Sequence, residues 1–521
     1  MIAPFGQAAF RGNPALAVSQ RVFRGTESLP GGFTVPAGEE WSFDPFVSTT
    51  VVVRANVVIA GRLIMRPARP DVVHTLRFEG VDESRFVGGA TTVPLATDVG
   101  LWVIGAGVLD AQGSPRVGWN RTGNDSTWAA ADELVVAPNA KGDLSGFRPF
   151  TRGAPVPTQT GPNGVLYPTE VANLTRNVRI EGTPTGRAHI QFLECQRPQT
   201  LRYVAIRYMG PQKPNGKTYR AGGVTRPEYE GVLGRYGLHF HCNNDGSRGS
   251  LIEGVVVRNT GGQAFVIHES HGMTFRDCVA YDVRASGFWY DPGTATDDLL
   301  IDRCAVLGIP NNPGDGGLGI RGFLLGEGMR NTVRGCVAVG LLNSKVNSGG
   351  FQWPSTANFG NNVWTFEDNI AHNNKDGGIG VWQNDANPHV VTRFVGYHNG
   401  TGISHGAYTN NYTYRDCVTF RNGIELVQHA LGGITFERMI FNGDVLIAKH
   451  SLPSSQVTRY VNCLISGSVI VNESGAGGDG GTIRFESTSR STDLALTRFV
   501  RQLVLSDITV QNSIGSAFQA R

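Results

Sequence analysis

The sequence lacks several features that would place it in common protein classes. It has no run of about 18 apolar residues, so no membrane-inserted segment is expected. Lysine and arginine number 46 against 43 aspartates and glutamates, a net charge of +3, with no long basic run; nucleic acid is therefore not an expected partner. None of the seven cysteines belongs to a CxxC pair, which argues against a zinc module and against a complete disulfide framework.

A secretory leader is also missing from the sequence as it stands. The first residues, MIAPFGQAAFRGNPALAVSQRVFRG, contain no positively charged segment followed by an apolar core. If Met1 is the native start, we expect a protein that stays in the cytosol, leaves by another route, or is assembled into something such as a virus particle.

The residues that are abundant favour β structure. The chain has 69 glycines and 26 phenylalanines but only 17% charged residues, which is typical of a turn-rich, mostly β protein. At 521 residues it is long enough for a large core, and repetitive β architectures reach this length as one body.

A repeat runs through the second half of the chain. Four-residue cores follow one another at intervals of 22 to 33 residues, the period of one solenoid coil. Polar pairs precede the cores, as in Arg276-Asp277 and Asp302-Arg303, and turn-forming segments follow them. We therefore predict an all-β fold, a right-handed parallel β-helix. The cores are GVVV (254–257), CVAY (278–281), CAVL (304–307), CVAV (336–339), NIAH (369–372), FVGY (394–397), CVTF (417–420), MIFN (439–442) and CLIS (463–466).

The repeat also indicates where most of the cysteines lie in the fold. Five of them occupy the first position of a core, where other coils have methionine or phenylalanine, and this predicts a stack of small buried hydrophobic side chains rather than disulfides or reactive thiols. They are Cys278, Cys304, Cys336, Cys417 and Cys463.

Four regions follow from these patterns. Residues 1–113 contain short alternating strands and form an N-terminal β cap, and residues 114–168 form a proline-rich, irregular excursion. Residues 169–480 form the parallel β-helix. Residues 481–521 are either a final rung or a capping or assembly element.

The order of several motifs resembles the G8-domain family, which includes the cell-surface and secreted hyaluronidases of animals and the fibrocystin-type proteins. The resemblance covers about residues 30 to 310 and implies a G8-like N-terminal region, a β-helix and an extracellular glycan as the ligand. Where the family has an acidic stretch after paired aromatics, this chain has Pro292, so the fold is better supported than hydrolase activity. The similar segments are FTVPAGEEWSFD, VVIAGRLIM, GVLDAQGSPRVGW, EVANLTRNVRIEG, HIQFLECQRPQTLRYVAIRYMG, GRYGLHFH, FVIHESHGMTFRDCVAYDV and GFWYDPG.

The segment GRYGLHFHCNNDG contains the leading candidate site, because His239 and His241 are two apart and would share one face of a strand. Counting back from the cores puts His241, Phe265 and Asp291 in one column of successive coils. The same count puts His239, Gln263 and Trp289 in the adjacent column.

Several roles remain open for these residues. We expect His239, His241, His268, Asp282 and Asp291 as catalytic candidates, with Asp282 and Asp291 as a carboxylate pair for hydrolysis or a histidine or tyrosine as the base of a lyase. The alternative is a structural role in which the histidines stack or bond to the backbone. Metal ligation needs ligands that the spacing does not reveal, so no metal and no cofactor are predicted.

A second set of candidates is aromatic. Trp289, Tyr290, Trp353, Trp364 and Trp382 are expected to stack on sugar rings, although packing in the core is the competing interpretation.

Three functions are compatible with this sequence. The first is a glycan-engaging β-helix, as in a bacteriophage minor tail or tailspike protein, that contacts host surface polysaccharide as a homo-oligomer, in particular a trimer, or with other tail proteins. The second is a secreted polysaccharide hydrolase or lyase, and the third is a purely structural virion protein. The expected location is accordingly a virion tail or the extracellular space.

Overall fold

The computed structural model describes most of the chain. The described residues are 20–212, 231–290, 295–310, 320–342, 349–353, 363–381, 387–406, 411–429, 433–448, 457–472, 482–490, 494–496, 502–506, 509–510 and 518–519.

Three parallel sheets of 16 strands each build the molecule, and the chain visits them in turn, so that three strands make one coil. Sheet A consists of Gln20–Phe23, Glu40–Phe43, Arg62–Met65, Val108–Gln112, Thr200–Arg202, Leu251–Glu253, Thr274–Arg276, Leu300–Asp302, Asn331–Arg334, Trp364–Glu367, His389–Thr392, Tyr412–Arg415, Ile434–Glu437, Val457–Val461, Thr482–Glu486 and Gln502–Ser506. Sheet B consists of Thr26–Leu29, Thr49–Val53, His74–Phe78, Val178–Glu181, Val204–Arg207, Val256–Arg258, Val279–Tyr281, Ala305–Ile309, Val337–Leu341, Ile370–His372, Val395–Tyr397, Val418–Phe420, Ile440–Asn442, Leu464–Ile465, Ser489–Arg490 and Thr509–Val510. Sheet C consists of Phe33–Val35, Val57–Ile59, Gly100–Ile104, His189–Leu193, Leu238–Asn244, Phe265–Ser270, Phe288–Tyr290, Arg321–Leu324, Gly349–Gln352, Gly377–Val381, Thr401–His405, Ile424–Gln428, Val445–Ala448, Val469–Asn472, Leu494–Leu496 and Phe518–Gln519.

The parallel β-helix predicted from the repeat is confirmed. The cores all fall on sheet B, where Val279, Ala305 and Val337 pair in register. The first core is displaced by one residue, because Val256 and not Val255 pairs with Val279. The described residues contain no α-helix, only two 3-10 turns at Glu83–Arg85 and Asp245–Ser247.

No helix among these residues is long and apolar enough to cross a membrane.

The three sheets run without interruption through the predicted regions. Strands from 20 to 112, in the region predicted as the N-terminal β cap, form the first coils of the same solenoid. The strands of 482–519 pair in the same three sheets as the final two coils.

Residues between Val108–Gln112 and Val178–Glu181 leave the solenoid and form a small antiparallel unit on its surface. Its four-stranded sheet is made of Trp119–Asn120, Leu134–Val136, Arg148–Pro149 and Val171–Asn173, and a hairpin joins Thr158–Thr160 to Leu166–Pro168. The sequence predicted an irregular excursion here, and we call this unit the insertion.

A buried hydrogen bond between His372 and Glu170 attaches the insertion to sheet B. His372 Nε2 lies 2.7 Å from a carboxylate oxygen of Glu170, and both side chains are fully buried. Burial alone would raise the pKa of Glu170, but the neighbouring His372 and Arg121 outweigh it and lower that pKa to about 2. His372 also stacks on Tyr397, with ring centroids 4.4 Å apart.

Stacked aromatic rings fill the interior beneath sheet C. Phe265, Phe288, Phe323 and Phe351 come from successive coils, and their ring centroids are 4.5, 5.0 and 4.8 Å apart. Because each coil buries its apolar face against its neighbours, no coil is expected to be stable alone.

The predicted cysteine stack is confirmed. All seven cysteines are free, and the five at the first core position are buried. The backbone N–H of Cys304 lies 3.3 Å from Cys336 Sγ, and Cys278 Sγ donates to the carbonyl of Arg276 at 3.4 Å.

The polar pairs before each core form the corner between sheets A and B. The second residue of each pair adopts a left-handed conformation, as in Asp277 (φ 51) and Arg303 (φ 51), and Gly335 (φ 59) takes the same position one coil later. Side chains at this corner pair between coils, with Arg303 Nη2 2.6 Å from Asp277 and Arg393 Nε 2.6 Å from Asp368.

Candidate functional site

The outer face of sheet C carries the candidate site. Along Leu238–Asn244 the side chains alternate, so Leu238 and Phe240 enter the core while His239 and His241 point outward. Phe240 is fixed by its stack on Phe192, with ring centroids 4.5 Å apart. The core packing of one face therefore determines which residues the other face presents.

The third histidine comes from the next coil. His241 pairs in register with His268, not with Phe265 as the counting from the cores predicted. Leu238 is the partner of Phe265. The two histidines are 27 residues apart, instead of the 24 assumed from the cores, because this coil includes the 3-10 turn Asp245–Ser247 and an irregularity after His241.

His239, His241 and His268, here called the histidine cluster, converge closely. The Nδ1 atoms of His241 and His268 lie 3.0 Å apart, and the ring centroids of His239 and His241 are 5.0 Å apart. One nitrogen from each ring falls within 4.8 Å of the other two. Three of the five predicted catalytic residues, the three histidines, therefore lie together in the structure.

Burial sets the charge of the cluster. His239 is completely buried, and this burial, with His241 and Arg235 nearby, holds its pKa well below the usual range. Burial and the nearby His268 lower the pKa of His241 to about 4. Burial also lowers the pKa of His268. All three imidazoles are thus neutral at neutral pH and can offer lone pairs.

One wall of the cluster is a buried ion pair. Arg235 Nε lies 2.8 Å from Asp98 Oδ2, and neither side chain is exposed. Arg235 also donates to Gln191 Oε1 at 3.0 Å, and Gln191 is the register partner of His239. The guanidinium carbon lies 4.9 Å from the ring centroid of Trp102. This packing fixes the loop that precedes His239.

The opposite side of the cluster opens at the end of sheet C. Glu194, Cys242 and Glu269 directly follow the paired residues Leu193, His241 and His268 and all have positive φ. Cys242, His268 and Glu269 also place one ligand atom each within 4.8 Å of one another. Glu194 and Cys242 line a pocket of about 380 Å³ together with Cys195, Gln196, Asn243, Asn244 and Gly246.

Of the two predicted aspartates, Asp282 lies away from the histidine cluster. Asp282 lies at the corner before sheet C, where Asn259 Nδ2 donates to it at 2.5 Å, whereas the cluster lies towards the end of the sheet C strands. Asp282 is therefore not brought to the histidines. Asp291 falls outside the described residues.

The predicted aromatic platform is buried where it is described. Trp353 and Trp364 are 0% and 2% exposed and pack in the main core, and Tyr290 is 2% exposed. Trp289 lies in the column of His239, as predicted, with Val266 rather than Gln263 between them; it packs on Tyr236 at 5.4 Å and is 5% exposed. These four side chains present no stacking surface, and Trp382 lies outside the described residues.

Several site residues were missed by sequence reasoning. Arg235, Asp98 and Gln191 come from three separate segments, and only the register of sheet C brings them to His239. Glu194 and Cys242 could not be identified either, because a single carboxylate or thiol after a strand belongs to no motif that the sequence would reveal. Glu269, by contrast, is visible in the sequence as the neighbour of His268.

The segment that carries the cluster is also the one that matches a known family. Residues 229–313 match the family model described as CEMIP beta-helix. The resemblance drawn from the sequence motifs, to the G8 and hyaluronidase-like β-helix family, is confirmed over these residues.

Two solved structures show distant likeness. One is the catalytic domain of GH87 alpha-1,3-glucanase D1068A in complex with tetrasaccharides, with 11% identity, a TM-score of 0.34, and coverage of 63% of this chain and 55% of that one. The chain thus spans about half the length of that glucanase domain. The other is the complex of XylC with xylose, with 9% identity, a TM-score of 0.27, and coverage of 88% and 81%.

Proposed function

We propose that this protein cleaves a polysaccharide, as a hydrolase or a lyase, with the histidine cluster at its reactive centre. The observation that carries the proposal is the convergence of His239, His241 and His268 on the outer face of the solenoid. His241 and His268 are both partly exposed. They lie within residues 229–313, which match the β-helix family model.

The cluster can move protons. A neutral imidazole is a general base at neutral pH, and the lowered pKa values of His241 and His268 keep them neutral. In elimination, one of them would take the proton next to a uronate carboxyl group. In hydrolysis, one would take a proton from the attacking water.

Carboxylates for hydrolysis are available beside the cluster. Glu194 and Glu269 lie at equivalent positions two coils apart, with Cys242 between them. A strand spacing of about 4.8 Å puts their Cα atoms roughly 10 Å apart. Inverting glycosidases use carboxyl groups separated by about 6.5 to 9.5 Å, which side chains leaning towards each other would reach.

A pocket for the substrate adjoins these groups. The cavity lined by Glu194 and Cys242 measures about 380 Å³, within the range of about 300 to 1,000 Å³ typical of small-ligand sites. Its lining includes the polar residues Gln196 and Asn244. Because the candidate residues Trp289, Trp353 and Trp364 are buried, we expect sugar recognition by hydrogen bonds here rather than by aromatic stacking.

The setting inferred from the sequence belongs to this proposal as well. We propose that the glycan is a surface polysaccharide met outside the cell or by a phage tail, and that the protein works as a homo-oligomer. Light scattering would give the oligomeric state, and a trimer is the expected result for the tail setting.

The experiment is incubation of the purified protein with a panel of acidic and neutral polysaccharides, followed by size analysis of the products. We expect shortened chains with one polymer, and no shortening by His268→Ala. The matched control is His429→Ala, a partly buried histidine of a distant coil, which should cleave like the wild type. An unsaturated, ultraviolet-absorbing product would identify a lyase.

Two results would contradict this proposal. Intact chains with every polymer would overturn the enzyme proposal, and co-sedimentation of one polymer with the protein would replace it with a binding role. Equal cleavage by His268→Ala would place the reactive centre elsewhere.

A further inference from the structure

We propose that the histidine cluster binds one divalent transition-metal ion, of the kind represented by Zn²⁺, through His239 Nε2, His241 Nδ1 and His268 Nδ1. This deepens the proposed function by replacing the imidazole base with a Lewis acid, because a nitrogen that binds the ion has no lone pair left to accept a proton. Ion binding itself does not depend on the protein being a glycan-cleaving enzyme. No metal was predicted from the sequence, because the spacing of two histidines on one strand does not reveal a third ligand.

The hydrogen bonding of His239 selects the ligand atom. Its Nδ1 lies 3.1 Å from the carbonyl oxygen of Gly234, and a nitrogen that faces a carbonyl must carry the proton and donate. Nε2 is then the lone-pair nitrogen. It is buried and has no hydrogen-bond partner among the described residues, a costly state for a polar atom unless something occupies it. A metal-bound histidine typically donates its other N–H to a backbone carbonyl in this way.

The other two ligand atoms already have suitable spacing. Metal–nitrogen bonds of about 2.0 to 2.1 Å in tetrahedral geometry separate two ligand nitrogens by roughly 3.3 Å. The Nδ1 atoms of His241 and His268 lie 3.0 Å apart, so side-chain shifts of a few tenths of an ångström would admit the ion between them. One nitrogen of each of the three rings lies within 4.8 Å of the other two.

The donor chemistry favours one class of ion. Imidazole ligands suit Zn, Cu, Fe and Ni, whereas Ca²⁺ and Mg²⁺ prefer oxygen. Three protein ligands leave a fourth position for water or substrate, as in catalytic zinc sites. Cys242 and Glu269 share His268 as a common neighbour, which puts this open side next to the pocket lined by Cys242.

The test is metal binding by the full chain, followed without any glycan. After removal of bound ions with a chelator, titration with Co²⁺ should produce visible absorption bands that saturate at one ion per chain, and Zn²⁺ should abolish them. We expect His241→Ala and His268→Ala to lose at least tenfold in affinity and His429→Ala to bind like the wild type. Far-ultraviolet circular dichroism would establish that each variant is folded.

Two results would overturn the inference. One is a folded wild-type chain that shows no saturable Co²⁺ bands and no Zn²⁺-dependent rise in unfolding temperature. The other is unchanged affinity in both His241→Ala and His268→Ala. Polysaccharide cleavage that survives chelation but is lost in His268→Ala would refute the metal site and leave the proposed function standing. Binding of one metal ion per chain, with neither cleavage nor binding of any glycan, would support the metal site and refute the proposed function.

Discussion

The Nδ1 atoms of His241 and His268 face each other at 3.0 Å across two neighbouring strands of sheet C. This contact depends on the register of the two coils, and the register depends on the aromatic residues on the inner face. The stability of the core and the geometry of the candidate site are therefore linked.

The aromatic stack should be essential for the central coils. Phe323 packs between Phe288 and Phe351, at 5.0 and 4.8 Å. Phe323→Ala removes a fully buried ring, and such changes cost about 3–5 kcal/mol. We expect a clear fall in unfolding temperature, measured by calorimetry. Phe46→Ala is the control, since Phe46 is 66% exposed, and a similar loss there would contradict this account of the core.

The insertion should depend on its buried carboxylate. Glu170 accepts from Arg121 Nε at 2.8 Å and lies 2.7 Å from His372 Nε2. Hydrogen bonds to charged groups contribute about 1.5–3 kcal/mol, so Glu170→Gln should loosen the insertion and speed proteolysis within it. Glu133→Gln, which removes an exposed ion pair with Arg258, should cost less than about 1 kcal/mol. Equal protease sensitivity of the two variants would show that the Glu170 pair does not hold the insertion in place.

Glu425 should make stability depend on pH. Burial raises its pKa to about 7, against the opposing effect of hydrogen bonds from Asn422. Since the folded pKa is above the unfolded value, this group favours the folded state fully below about pH 4.3 and loses that contribution as pH rises through 7. We expect denaturation at pH 5 and pH 8 to differ by up to about 3 kcal/mol from this group. Glu425→Gln should remove that difference, and an unchanged pH dependence would reject the assignment.

Thiol labelling should distinguish one cysteine from the rest. Cys242 is partly exposed, while the other six are buried, and burial raises the pKa of the Cys195, Cys417 and Cys463 thiols to about 12. Because the thiolate is the reactive form, iodoacetamide should label about one site per native chain, located by mass spectrometry. Cys242→Ser should abolish this labelling, and comparable modification of the buried cysteines would contradict the stacked arrangement.

Much of the fold could be predicted from the sequence because each coil repeats a local pattern. The cores of sheet B and the cysteine stack follow from residues that recur at the coil period. The polar pairs before the cores were also visible, but their left-handed conformation at Asp277 and Arg303 was not predicted. The strands of residues 20–112 were predicted, but not their place in the repeat, because the aligned cores begin only at residue 254.

The site was only partly predictable, since it depends on contacts between coils. His239 and His241 were visible as neighbours on one strand, but the pairing of His241 with His268 required the true length of the intervening coil. The Arg235–Asp98 pair joins residues 137 positions apart, and no local pattern signals it. The burial of Trp353 and Trp364 depends on which face of each strand enters the core.

The most direct test of the account is a crystal structure of the protein with an oligosaccharide derived from the polymer it cleaves or binds. We predict sugar in the pocket lined by Glu194 and Cys242, with a ring oxygen or hydroxyl within hydrogen-bond reach of His241 or His268. Sugar bound only elsewhere, on the insertion or along sheets A and B, would contradict the claim that the histidine cluster is the functional centre.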